Sequence, residues 1–190
     1  MNIAFFEDDR FENFLPLTYT RPVYELRCGT SQLYKKIGRV LPEAKQVFFT
    51  RDYLAPNYSK HVQGSVNKVE ALKDDTVFVN GGLLPSENLK GAIEACAGKN
   101  VLVLQDGRLA FACLKEKLCK EVGEVFLNPI DEEAIRKLKE KAKVEEVNDL
   151  KLLEYPWNLI EHNAELIREE FKLVAKGEPE GEIDPRAVVY

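Results

Sequence analysis

Five short apolar runs, each closed by charge, glycine or proline, narrow the folds open to this chain. They are Asn2–Phe6, Gln46–Thr50, Thr76–Asn80, Val101–Gln105 and Leu109–Leu114. Runs of this length without polar alternation suit strands buried on both faces, and such strands belong to sheets covered by helices. Helical spacing lies between and after them. From Thr30 or Ser31, as N-cap, a helix is predicted to about Leu41, with Leu33, Ile37 and Val40 on one face and Pro42 as its stop. A second is predicted from Ser86, and a third over Asp131–Val144 with Ile135, Leu138 and Ala142 on its apolar side. A fourth follows Pro156-Trp157-Asn158, where Ile160, Ala164, Ile167, Phe171 and Val174 recur at helical spacing. The opening strand–loop–helix–strand reads as a right-handed crossover. Asp106-Gly107-Arg108 reads as a tight hairpin, which makes the sheet mixed. The expected class is therefore α/β, a mixed, mostly parallel sheet flanked by helices.

At 190 residues the chain suits one domain with a short appendage. Hydrophobic residues are 45% and charged residues 31%, a globular balance. The net charge of −5, with acids and bases interleaved, argues against a nucleic-acid surface. No apolar run approaches the ~20 residues needed to cross a bilayer, and Met-Asn-Ile-Ala-Phe-Phe-Glu-Asp-Asp has no basic start of a signal peptide. A cytoplasmic place is expected. Cys28, Cys96, Cys113 and Cys119 show no C-x-x-C spacing, so buried free thiols are expected rather than a zinc site.

Between the first strand and the first helix lies Leu15-Pro16-Leu17-Thr18-Tyr19-Thr20-Arg21-Pro22-Val23-Tyr24-Glu25-Leu26-Arg27-Cys28-Gly29. Chain leaving the carboxyl end of a strand is where open α/β sheets hold ligands. Guanidinium groups there suit phosphate, because their planar fork binds two oxygens. Arg21 and Arg27 are the candidate catalytic cations, and Thr18, Thr20 and Glu25 candidate substrate ligands. The structural alternative ties the arginines to Glu25 or to Asp8 and Asp9. Those two aspartates are candidate magnesium ligands, since hard cations seek carboxylate oxygen. Asn80, Gly81 and Gly82 form a bend where backbone can approach a ligand closely. Trp157 is expected as a core anchor or as packing against a following β-helix. The tail Gly181–Tyr190 reads as one coil of a hexapeptide-repeat β-helix, a unit that needs stacked neighbours.

The order Pro16-Leu17-Thr18, then Pro22, resembles the signature of sugar-phosphate nucleotidyltransferases. The longer pattern from Leu15 to Gly29 resembles a divergent branch of sugar nucleotidyltransferases, similar to the pyrophosphorylase half of bifunctional UDP-N-acetylglucosamine pyrophosphorylase/glucosamine-1-phosphate acetyltransferases. Val79–Pro85, Pro156–Leu159 and Asn163 carry the likeness on. The resemblance implies a Rossmann-like nucleotidyltransferase domain over residues 1–177. It implies a linker and first β-helix coil over 178–190, and a trimer where such a helix continues. The implied reaction joins a nucleoside triphosphate and a sugar 1-phosphate into a nucleotide-sugar and pyrophosphate, with Mg²⁺. Three positions depart from the pattern. Glu7–Glu12 replaces the glycine-rich turn, Val23 stands in the lysine's place, and Gly82 stands where a metal-binding aspartate is usual. They motivate an alternative: a non-catalytic module that binds a nucleotide-sugar or orders a β-helix acyltransferase domain. A dinucleotide-binding reading starts badly, since no G-x-G-x-x-G follows Phe6.

Overall fold

The structure is a computed structural model that describes residues 1–86, 88–174, 184 and 186. In chain order its elements are β1 (Asn2–Phe6), β2 (Arg27–Cys28), β3 (Ser31–Gln32), α1 (Leu33–Gly38), β4 (Lys45–Phe48), α2 (Ala55–Tyr58), β5 (Ser65–Val66), β6 (Thr76–Asn80), α3 (Leu89–Cys96), β7 (Val101–Gln105), β8 (Arg108–Leu114), α4 (Glu116–Val122), α5 (Glu132–Lys139), β9 (Lys143–Val147), α6 (Pro156–Glu161) and α7 (Asn163–Val174). Seven strands form one sheet in the order β5-β4-β1-β6-β8-β7-β9, while β2 and β3 make a separate small hairpin. Only β8 runs antiparallel to its neighbours. The α/β class with a mixed, mostly parallel sheet is thus the one the sequence predicts.

Strand alternation divides the core into two layers. Ile3 and Phe5 of β1 face a layer with Ile37, Tyr58, Leu89 and Ile93, supplied by α1, α2 and α3. Ala4 and Phe6 face the opposite layer, with Leu118, Val122, Phe126, Ile135 and Leu138 on and beside α4 and α5. There the rings of Phe78 and Phe126 stack at 4.0 Å between centroids. A smaller third cluster joins Phe14, Val23, Leu26, Leu33, Leu84, Leu153 and Leu166, seating the loop after β1 beneath α7. All four cysteines are buried free thiols. Burial pushes the Cys113 thiol up to about 12.

Several boundaries differ from the sequence expectation. The helix expected from Thr30 begins only at Leu33, because Thr30 and Ser31 are committed to α7: the Thr30 N–H (2.8 Å) and the Ser31 hydroxyl (2.8 Å) both donate to Glu170. The helix expected over Asp131–Val144 is capped as its sequence suggests, with Asp131 accepting from Ala134 N–H. It ends at Lys139, and Lys143–Val147 becomes β9, parallel to β7. α2, β5 and α4 fall outside the strands and helices expected from the sequence. The last helix is two helices, joined through His162, whose carbonyl still accepts the Leu166 N–H. Its buried stripe is Leu166 and Glu170; Ile160, Ile167 and Phe171 are exposed. Trp157 is no core anchor, being 55% exposed and stacked on Tyr155 with 4.5 Å between ring centroids. The coil expected over Gly181–Tyr190 lies outside the described residues, apart from Asp184 and Arg186. Among the described residues no helix is long and apolar enough to cross a membrane.

Candidate functional site

β1, β4, β6, β7 and β9 all run the same way, so their carboxyl ends share one edge of the sheet, and β8 begins there. Chain order reverses at β1, between β4 and β6, which makes this the switch point where open sheets form a crevice. Protein side chains occupy it. Glu7, one residue past β1, is buried and accepts from Val23 N–H at 2.9 Å and Thr50 Oγ1 at 3.2 Å. Arg51, three residues past β4, reaches the same carboxylate through Nε at 3.1 Å and Nη2 at 3.3 Å. Arg51 also donates to the carbonyls of Thr18 and Arg21 and to the Tyr53 hydroxyl, and its guanidinium lies 4.3 Å from the Phe11 ring centroid. Burial pushes the Glu7 carboxyl up, and Arg51 pulls it back. The Leu15–Arg27 segment is therefore latched across the ends of β1 and β4.

Tyr24 completes this latch. It is fully buried, donates to Phe49 O at 3.2 Å, and lies against Gly81. A Cβ at Gly81 would stand 2.9 Å from Tyr24 Cδ1 and 3.1 Å from Phe6 O. Ring packing is thus enough to require glycine at position 81. Gly81→Ala is expected to cost about 1–3 kcal/mol through overpacking, read from urea unfolding midpoints.

Further along the same edge, three strand ends meet on Asp8. Its Oδ2 accepts from Asn80 Nδ2 (2.9 Å), Arg108 Nε (2.9 Å) and Arg108 Nη2 (2.8 Å). Asn80 also donates to Leu109 O and accepts from Gly82 N–H, which fixes the bend after β6. Arg108 donates on to Leu153 O. Cavities open on both sides of this guanidinium. One, of about 100 Å³, is lined by Asp8, Asp9, Arg10, Asp106, Arg108 and Asp131 among others. The other, of about 330 Å³, has Arg10, Gln105, Arg108, Lys151, Asn158 and His162 in its wall. Asn158 is held by accepting the N–H groups of Glu154 and Tyr155.

The structure gathers some of the expected residues and separates others. Asp8, Asn80 and the Gly81-Gly82 bend lie together on the edge. Thr18 is buried and donates to Phe11 O at 3.0 Å, so its hydroxyl serves the loop. Thr20, Arg21 and Glu25 line a separate surface cavity of about 160 Å³ with Asn57, Tyr58 and His61. Glu25 accepts from the Tyr58 hydroxyl at 2.9 Å. Arg27 is exposed and donates to Thr30 O at 2.6 Å. Arg21 and Arg27 therefore do not converge on the glycine bend: Arg21 lines the surface cavity beside Tyr58, Arg27 is exposed, and it is Tyr24 that lies against Gly81. Nor do they pair with Glu25, Asp8 or Asp9 among the described residues. The cations that pair with Glu7 and Asp8 at the edge are Arg51 and Arg108. Their one sequence signal is position, since each sits just beyond a strand end.

The aspartates do not form a cation cage. One oxygen of Asp8 already takes three N–H donors, and Asp9 is exposed, its carboxyl raised first by desolvation and then by the neighbouring Asp8 charge. Among the described residues, no group of three or more His, Cys, Asp or Glu side chains is placed to hold a metal ion. A magnesium ion held by protein groups alone does not fit here.

Comparison with known proteins bears on the family and the fold. A family model described as sugar nucleotidyl transferase matches residues 3–179. No curated protein matches the chain. Among solved structures, one described as a glucose-1-phosphate thymidylyltransferase from Bacillus anthracis is similar at 11% identity, with a TM-score of 0.56 over 88% of this chain and 95% of that one. A UDP-glucose pyrophosphorylase from Acinetobacter baumanii is similar at 10% identity, with a TM-score of 0.53 over 93% of this chain and 99% of that one. At such identities the likeness is one of fold.

Proposed function

Because the chain belongs to the sugar nucleotidyl transferase family, we propose that it takes that family's class of ligand, a nucleoside triphosphate and a sugar 1-phosphate, at the carboxyl edge of β1, β6 and β7. One observation carries the reading: Arg108 lines two cavities on this edge, tethered by Asp8 and Leu153 O with 15% of its side chain exposed. A guanidinium held in place and still facing open volume suits a phosphate that arrives and leaves. Arg10 and Lys151 add positive charge on the larger cavity, and the Gln105 and Asn158 amides suit sugar hydroxyls. In the reaction proposed, a phosphate oxygen of the sugar 1-phosphate forms a bond to the α-phosphorus as the bond to pyrophosphate breaks. Positioning and charge neutralisation then carry most of the catalysis. In this assignment Arg108 takes the role that the sequence suggests for Arg21 and Arg27.

A second reading, a non-catalytic nucleotide-sugar-binding module, is favoured by the Glu7–Arg51 pair filling the switch point and by Gly82 at the position where a carboxylate is usual. Calorimetric titration with UTP, dTTP and nucleotide-sugars, with and without Mg²⁺, separates the two when paired with a pyrophosphate-release assay over a panel of sugar 1-phosphates. Release supports the transferase; binding without release supports the module; absence of both removes this site. Arg108→Ala is expected to weaken binding of whichever ligand registers by about tenfold or more, the worth of a charge-assisted hydrogen bond to phosphate.

A further inference from the structure

The exposed residues of α6 and α7 follow a pattern that the edge site does not use. Trp157, Ile160, Ala164, Ile167 and Phe171 are spaced 3-4-3-4, the spacing of a helix seam that packs on another helix. The body of the domain is served by a different stripe of the same rod. Leu166 packs in the third core cluster with Leu159 against it, Asn163 accepts the Gly29 N–H, and Glu170 takes Lys36 and Arg39. The rod holds together across the joint, since His162 N–H donates to Asn158 O and Leu166 N–H to His162 O. Its seam faces outward: Trp157 is 55% exposed, Ile160 78%, Ile167 41% and Phe171 62%. A single contiguous row of large apolar side chains on one element is a mark of association, unlike apolar residues scattered singly.

Charge beside the seam selects the occupant. Glu161 and Arg168 occupy the same flanking position one heptad apart, both exposed, and Arg168 makes no ion pair among the described residues. In an antiparallel helix pair, equivalent flanking positions face one another. With a twofold axis at Ala164, the smallest side chain and the midpoint of the row, Glu161 of one copy meets Arg168 of the other, twice. The same axis sets Trp157 against Phe171 and Ile160 against Ile167 of the second copy. A parallel pairing would instead set Glu161 and Arg168 against the opposite flank of the second copy, where Pro156 and Asn163 offer no charge. We infer that α6 and α7 form an isologous dimer contact, with a second copy of this chain packed antiparallel across Ala164.

Sedimentation velocity over a wide concentration range tests the contact, together with emission from Trp157, the chain's only tryptophan. A dimer is expected whose formation shifts the indole emission to the blue. Ile167→Glu is expected to abolish it. Arg168→Glu is expected to weaken it about tenfold or more, and Glu161→Arg combined with Arg168→Glu to restore it, since the swap recreates both pairs. These are exposed positions, and circular dichroism of each variant shows whether the fold is kept. A chain that stays monomeric at every concentration overturns the inference; if its indole nevertheless emits as a buried group, another segment covers the seam. A dimer indifferent to the charge changes overturns it too. None of these readouts depends on ligand binding at the sheet edge.

Discussion

Arg51→Ala is expected to remove about 3–5 kcal/mol from the unfolding free energy at neutral pH, the usual cost of leaving one member of a buried ion pair alone. Both side chains are almost wholly enclosed, Glu7 at 1% and Arg51 at 7% exposure. The lost guanidinium would also release the carbonyls of Thr18 and Arg21, so the Leu15–Arg27 segment would lose its fastening to the ends of β1 and β4. The pH dependence gives the test its sign. Burial already raises the Glu7 carboxyl above its ordinary 4.5, and without Arg51 it rises further. A group raised in the folded state favours folding when protonated, and that help is lost as pH climbs through the folded value. The penalty of the variant is therefore full at neutral pH and shrinks on acidification towards 4.5. Chemical denaturation of both proteins at several pH values measures it, and a penalty independent of pH would refute the account.

Glu170→Ala is expected to have an effect of similar size, about 3–5 kcal/mol, which also fades in acid but over a lower pH window. This carboxylate receives the Thr30 N–H, the Ser31 hydroxyl, Lys36 and Arg39, and Lys36 is itself only 2% exposed. Burial alone would raise the Glu170 carboxyl; donation from Lys36, Thr30 and Ser31 outweighs it and brings the group down to about 2. A carboxyl lowered in the folded state contributes its stability above its ordinary value near 4.5 and loses it as pH falls towards 2. The gap between wild type and variant should thus stay constant from neutral pH to about 5 and close in strong acid. Lys36→Met in the Glu170→Ala background is expected to recover part of the loss, since it removes the buried cation left without a counter-charge.

What the sequence reveals and what it hides follow from the range of the forces involved. β1 and β6 are legible to the residue because both faces of each are buried and the apolar run stops where the sheet does. The β7–β8 hairpin is legible because Asp106 and Gly107 take positive φ, 52° and 75°, and their dipeptide is the local signal for that turn. β9 is not: Lys143-Val144-Glu145-Glu146-Val147 continues the spacing of α5, and only the backbone of β7 makes it a strand. The site divides the same way. Asn80 and its bend are visible as a strand end, whereas the pairing of Glu7 with Arg51 spans 44 residues and that of Asp8 with Arg108 spans 100. A charged residue announces no partner at such separation. Arg21 and Arg27 drew notice because they sit in a conspicuous segment, yet that segment is held down by an arginine from elsewhere.

The sheet's two outer strands bear on how copies of the molecule meet. β5, on one rim, is two residues long, too short to template a neighbour. β9, on the other, carries Lys143, Glu145 and Glu146 along its five residues, so an incoming strand would have to desolvate charge for each backbone bond gained. Neither rim invites strand addition, the route by which β-rich surfaces run into open-ended fibres. The contact proposed for α6 and α7 takes another route, through side chains on helices about a twofold axis, and such a contact closes after two molecules.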